Sequence, residues 1–372
     1  MKYQWLDLLR GVSALLVCAN HLRAAMFVDY SALQDSSLFV KLFYFLTGLG
    51  SQSVIVFFVL SGFFVGGSII KRWQQFNFAD YMLARLSRLW IVLVPALLLT
   101  LLVDRCIALS APDLLAGADF ATINSGPNGQ YSGTLVTFLQ NMLFLQTITA
   151  PVFGSNGPLW SLCNEFWYYV CFPLFFFLFD RKAGGITRIF AALAIALLGL
   201  TVLQDRMTGF LVWMLGAALY CMPRHHRLMR PSHLLALALP LLALALVLSK
   251  TAHLPESLNM AALGLASSLL ILALRALPEM SRPLAAMTAW LARSSYTLYL
   301  IHFPLVIWAY AAWFRGQQAV PGALSYLVFG GLLGGLVLIA QACWMLFEKH
   351  TDAVKQRLFA ILRRPQSRPL RS

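Results

Sequence analysis

Ten mostly apolar stretches, each long enough to cross a bilayer as a helix, follow one another at 6–24, 47–70, 83–108, 158–179, 185–203, 206–222, 232–249, 257–277, 293–314 and 322–347. Polar residues collect in the connections between them. This alternation predicts an all-α polytopic membrane protein of about ten transmembrane helices. Two connections exceed what a turn needs. Residues 109–157 contain the Gly-rich pieces GPNGQYSG and APVFGSNGPLW around the apolar run LVTFLQNMLFLQTI, too short for a full crossing and expected to be a re-entrant or interfacial helix. Residues 25–46 carry a weaker amphipathic piece from Leu38 to Leu46.

The cations set the orientation. Lys71, Arg72, Arg85 and Arg88 follow the second stretch, Arg181, Lys182 and Arg188 the fourth, Arg224, Arg227 and Arg230 the sixth, and Arg282 and Arg293 the eighth. Lys355, Arg357, Arg363, Arg364, Arg368 and Arg371 close the chain. The alternate connections hold only scattered cations such as Arg23, Lys41, Arg105, Arg206, Lys250 and Arg315. The positive-inside rule then predicts both termini in the cytoplasm, with residues 1–350 as the membrane domain and 351–372 as a basic tail.

Composition narrows the class further. With 60% hydrophobic and 11% charged residues the chain lacks the polar surface of a large soluble protein. The net charge of +14 is divided among several cytoplasmic connections, which argues against a nucleic-acid surface. Cys18, Cys106, Cys163, Cys171, Cys221 and Cys343 lack paired or CxxC spacing, and His225, His226, His233, His253 and His350 form no ligand constellation, so neither a disulfide framework nor a metal site is expected. The first stretch resembles a signal peptide, but no convincing cleavage site follows it and it is read as a retained span.

Ionisable groups inside apolar stretches are costly in lipid and therefore mark candidate sites. Arg10 and His21 are eleven positions apart, which brings both onto one face of a helix, about 16 Å apart along it. Taken singly, Arg10 also reads as a flanking charge and His21 as a snorkelling end residue. With the predicted orientation, Glu165 enters from the outer side to a depth similar to His21, an arrangement suited to a base with an orienting carboxylate. Ser161, Glu165 and either Tyr168 or Tyr169 are spaced to share that helix face. Ser295, Tyr299 and His302 share a face of the ninth stretch, where His302 reads either as lining an acyl path or as a buried histidine bonded to a Tyr or a carbonyl. Ser61 and Gly62 look like a close-packing site between helices, and Glu348, at the inner end of the tenth stretch, a partner for a loop Arg.

Five segments together resemble membrane-bound acyltransferase family 3, which includes O-antigen and exopolysaccharide O-acetylases. LDLLRGVSALLVCANH resembles that family's first span with its Arg and His; FFVLSGFFVGG resembles the second span and YMLARLSRLWIVLVP the Arg-rich entry to the third. GPLWSLCNEFWYYVCFPLFF resembles the Trp-Ser-Leu-x-x-Glu segment, and SSYTLYLIHFPL the late Ser-Tyr-x-x-Tyr-Leu-x-His segment. The resemblance implies an enzyme of the inner (plasma) membrane of a bacterium that moves an acyl group, usually acetyl, from cytoplasmic acyl-CoA to a hydroxyl acceptor, usually a glycan on the outer face. On that basis His21 and Glu165 are expected to be catalytic, and Arg10, Lys71, Arg72, Arg85 and Arg88 to hold the donor's phosphates. Ser61, Trp160, Ser161, Tyr299 and His302 are expected to line the acyl path or acceptor site. No bound cofactor is expected: acyl-CoA is a substrate, and membrane lipid and the acceptor are the other partners. Direct transfer and a transient acyl-His21 both fit these residues. So does a competing reading, a secondary transporter or exporter of a lipid-linked sugar or small metabolite, although two matching halves with broken helices are not evident.

Overall fold

The computed structural model describes residues 3–34, 37–115, 130–180, 183–223 and 230–362. Arg181, Lys182, Arg224, His225, His226, Arg227, Arg363, Arg364, Arg368 and Arg371 lie outside them. The described residues are helical with no sheet: α1 (Gln4–Met26), α2 (Leu38–Thr47), α3 (Gly50–Ser61), α4 (Gly67–Arg72), α5 (Phe78–Ser110), α6 (Leu135–Met142), α7 (Leu159–Phe179) and α8 (Gly185–Thr201). They continue with α9 (Met207–Cys221), α10 (Pro231–Thr251), α11 (Glu256–Leu274), α12 (Arg282–Arg293), α13 (Ser295–Ala309), α14 (Ala323–Leu346) and α15 (Thr351–Leu362).

Each of the ten apolar stretches is helical, and seven described helices are long and apolar enough to cross a membrane. Of the other three, α1 carries Asp7, Arg10 and Arg23 within its 23 residues, and α8 and α9 are only 17 and 15 residues long. α8 and α10 present large exposed apolar side chains, among them Phe190, Leu193, Leu197, Leu241 and Leu244. Such faces suit lipid rather than water, and the chain is an integral membrane protein.

Helix α1 sits inside the bundle, packed on α3, α12 and α13, while α13 in turn packs on α5 and α14. α3 and α9 meet at glycines: a Cβ on Gly62 would lie 1.8 Å from the Trp213 carbonyl oxygen, and one on Gly216 1.9 Å from that of Val59. Gly62 is thus the close-packing residue its sequence context suggests. It also opens a single π-turn, Gly62–Gly66, which joins α3 to α4.

Two prolines explain how polar side chains are used in this apolar interior. A proline has no N–H for the carbonyl four residues earlier. Pro173 thereby frees the Tyr169 carbonyl, which accepts a hydrogen bond from the Tyr81 hydroxyl at 3.2 Å. Pro304 frees the Leu300 carbonyl, which accepts from Asn156 Nδ2 at 2.9 Å. Asn156 belongs to the long connection between α5 and α7, so this bond docks that segment on α13.

Where the sequence predicts a re-entrant or interfacial helix, the connection holds a helix shorter than its apolar run. Within its apolar run only Leu135–Met142 is helical, after which Phe144 and Thr147 take left-handed conformations, with φ of 57° and 64°. The physical reason is Asn141. Its side chain donates to the Pro151 carbonyl and accepts from the Phe153 N–H, so it folds residues 143–157 back as an irregular, buried plug instead of extending the helix. The amphipathic piece from Leu38 is helical as expected, with Ser37 capping it at the Val40 N–H. The connection ending in Arg206 clamps the plug: that guanidinium donates to Asn164 Oδ1 and to the carbonyls of Val202 and Thr147. Read from sequence as a scattered cation, Arg206 is a structural tie.

Candidate active site

A cavity of about 390 Å³ opens among α1, α3, α5, α7 and α13, and most of the candidate residues line it. Arg10, Arg85 and Arg88 contribute to its wall, as do Ser61, Glu165 and Tyr169 at mid-length and Ser161 and Tyr299 farther on. The helices order these positions. Glu165 and Tyr169 lie one and two turns along α7 from Ser161, so the hydroxyl pair and the basic residues are separated along the helix axes.

The basic end is partly neutralised. Arg10 donates to Asp7 Oδ1 at 2.9 Å, while its Nε and that of Arg85 are buried with no partner. Arg88 stands 3.6 Å from Glu348 Oε1, and Thr297 donates its hydroxyl to the other oxygen of Glu348. Glu348 therefore does pair with an inner arginine, though one on a helix rather than in a loop. Lys71 and Arg72 are exposed and do not line the cavity, and the half-buried Trp160 does not reach it either.

At mid-length a directional chain of hydrogen bonds runs across three helices. Trp213 Nε1–H donates to Ser61 Oγ at 3.1 Å, Ser61 meets the Tyr169 hydroxyl at 3.1 Å, and Tyr169 donates to Glu165 Oε1 at 2.5 Å. Because Tyr169 spends its proton on Glu165, it accepts from Ser61, whose own oxygen accepts from Trp213. Every proton in the chain points toward Glu165 Oε1. Tyr168, the alternative partner by spacing, instead donates to the Arg206 carbonyl.

The far end is closed by a short contact between the hydroxyls of Ser161 and Tyr299, at 2.5 Å. The Tyr299 ring centroid is 6.0 Å from that of His302, which is fully buried and does not line the cavity. His302 Nε2 lies 2.8 Å from His21 Nδ1, the two rings are stacked, and Phe303 packs edge-on against His21.

The expected contact between His21 and Glu165 is not made, since His21 bonds to His302 while Glu165 is held by Tyr169. The cause is lateral. Similar depth on two helices does not make them neighbours: α13 packs on α1 and gives His302 to His21, while its Tyr299 side chain reaches Ser161 on α7. The sequence offers His302 as a path-lining residue or as a buried histidine bonded to a Tyr or a carbonyl, and the carbonyl bonds are the ones made, at Leu298 and Tyr299; nothing in the sequence singles out Trp213. A signal for the nearness of Tyr299 to His302 existed, because the two lie three residues apart, on adjoining parts of one helix surface.

The architecture and the site together define an integral membrane protein with a largely apolar internal cavity that carries arginines near one end and, near the other, Tyr299 beside a histidine pair. The family model described as an acyltransferase domain matches residues 3–345, and the chain belongs to acyltransferase family 3. No curated protein and no solved structure matches the chain.

Proposed function

We propose that the protein is an acyl-CoA-dependent O-acyltransferase of the bacterial inner membrane. In this reading it carries an acyl group, acetyl foremost, from cytoplasmic acyl-CoA to a glycan hydroxyl on the outer face. The observation that carries the reading is the cavity: three arginines line it, and Tyr299 at its other end borders the His21 and His302 pair. Guanidinium groups suit the phosphates of coenzyme A, and the mostly apolar remainder of the cavity, with its Ser and Tyr hydroxyls, suits the pantetheine arm. The positive-inside pattern puts the basic end in the cytoplasm, where acyl-CoA is available.

His21 is the base. The acceptor's O–H proton passes to His21 Nε2 as its oxygen bonds to the acyl carbon, the carbon–sulfur bond breaks, and the leaving sulfur recovers that proton from the imidazolium. Acyl transfer through His21 itself would use the same ring nitrogen as nucleophile. Separation of the Ser161 and Tyr299 hydroxyls joins the donor cavity to His21, and their contact in the resting enzyme protects the thioester from water. Glu165 acts on the donor side, its carboxylate positioned to accept a pantetheine amide N–H.

The test is release of free CoA from acetyl-CoA by purified protein in lipid nanodiscs supplied with a glycan acceptor, followed with a thiol reagent. Acceptor-dependent release is expected, and His21→Ala should lower its rate by about 10²–10⁴ while acyl-CoA still binds. A correctly folded His21→Ala protein that transfers at the wild-type rate overturns the role given to His21, and an absence of CoA release with every acyl-CoA and glycan tried overturns the activity.

A further inference from the structure

We infer that His302 is a positioning residue that fixes the tautomer of His21, an inference resting on the reading of His21 as the base. The argument starts from atoms that can only accept. His302 Nδ1 lies 3.0 Å from the Leu298 carbonyl oxygen and 2.8 Å from that of Tyr299. Neither oxygen can donate, so Nδ1 carries the hydrogen. Among the described residues no carboxylate touches either ring, and an imidazolium sealed here would lack a counter-charge, so His302 is the neutral Nδ1–H form.

The rest follows by exclusion. With its hydrogen on Nδ1, His302 offers a bare Nε2, and that atom is 2.8 Å from His21 Nδ1. A hydrogen bond at this separation requires the hydrogen on His21 Nδ1, which leaves His21 Nε2 as the ring nitrogen with a free lone pair. The ordered sequence carbonyl, His302, His21 thus sets which nitrogen of His21 is basic, a task that a carboxylate performs in many base-plus-orienter pairs. Stacking on His302 at 5.1 Å between ring centroids and the edge-on Phe303 at 4.8 Å hold the ring plane. When Nε2 takes the acceptor's proton, the bond from Nδ1–H to His302 strengthens because its donor has become cationic. His302 therefore favours the transition state and leaves donor binding alone.

Replacement of His302 by Leu removes the acceptor, while Gln presents an oxygen at comparable reach. With acetyl-CoA and a glycan acceptor, His302→Leu should lower kcat by about tenfold to a hundredfold with KM for acetyl-CoA unchanged, and His302→Gln should retain most of the rate. Simple loss of packing would not discriminate in favour of Gln. Equal kcat values for the two variants, or a defect confined to KM, overturn the proposal. If His302→Leu does not accumulate in membranes, His302→Met, flexible and lacking a strong acceptor, takes its place under the same criteria. His21→Ala assayed alongside separates the two levels of argument. Full activity there overturns the reading of the base itself, whereas an inactive His21→Ala with an unimpaired His302→Leu overturns only the positioning role.

Discussion

Arg85 and Arg88 are one helical turn apart and both line the cavity, but their surroundings give them different duties. Arg85 has a buried Nε without a partner and only the Tyr81 ring beneath its guanidinium, 5.8 Å away. Arg88 also faces Glu348, whose side chain is 5% exposed. Removing Arg85 deletes a contact available to the donor, whereas removing Arg88 in addition strands a buried carboxylate with Thr297 as its remaining side-chain partner. Arg85→Ala should therefore weaken acyl-CoA binding by about one to two decades with little change in thermal stability. Arg88→Ala should weaken binding and also cost about 1 kcal/mol of stability, a small figure because the arginine side chain is 44% exposed. Titration calorimetry and thermal unfolding in the same detergent measure both quantities. Identical stability losses for the two variants would remove the distinction.

Among the helices, the informative feature is the use made of missing backbone hydrogen bonds. Pro304 leaves the Leu300 carbonyl free, and Asn156 reaches from the plug to take it, with Thr100 accepting from the same amide nitrogen at 3.1 Å. Asn156→Ala should destabilise the protein by roughly 1–3 kcal/mol, since a buried carbonyl loses its donor. A Pro304→Ala background restores an N–H at the position that bonds Leu300, so the cost of Asn156→Ala should shrink there by about 0.5–1.5 kcal/mol. Thermal unfolding of the four proteins in the cycle gives that coupling directly. Additive losses would show that the docking of the plug on α13 does not depend on the proline. The C-terminal ends of α5 and α13 are tied in another way. Arg315 pairs with Asp113 across them and holds that carboxyl below the usual carboxylate range.

For the whole molecule, orientation decides whether the basic end of the cavity meets acyl-CoA. The proposed arrangement puts Ser31 outside and Arg357 inside, and both are exposed. In a background where the exposed Cys106 and Cys221 are serine, Ser31→Cys should react with a membrane-impermeant maleimide in intact spheroplasts. Arg357→Cys should react only after lysis. Labelling of both positions from the same side would invalidate the span count and the cytoplasmic donor route together. The orientation also gives α15 a place: this short helix, with Lys355 paired to Asp352 at 2.8 Å, packs against α5 on the side of the membrane where Arg85 and Arg88 begin that helix.

Hydrophobic periodicity and residue type, which act over a turn or two of chain, determined the ten apolar helices, the amphipathic helix from Leu38, the family, and the residues around the cavity from Arg10 to Tyr299. These are local properties, because an apolar run of sufficient length must satisfy its own backbone in lipid as a helix. The tertiary structure decided which helix stands beside which. Depth along a helix can be counted from sequence, but azimuth and neighbour depend on packing between elements far apart in the chain, such as the Gly62 and Gly216 contacts that bring α3 against α9. That is why His21 meets His302, 281 positions away, and Glu165 is held by Tyr169 on its own helix. The same holds for residues 143–157, where Asn141 side-chain bonds outcompete continued helix and fold the segment into a plug.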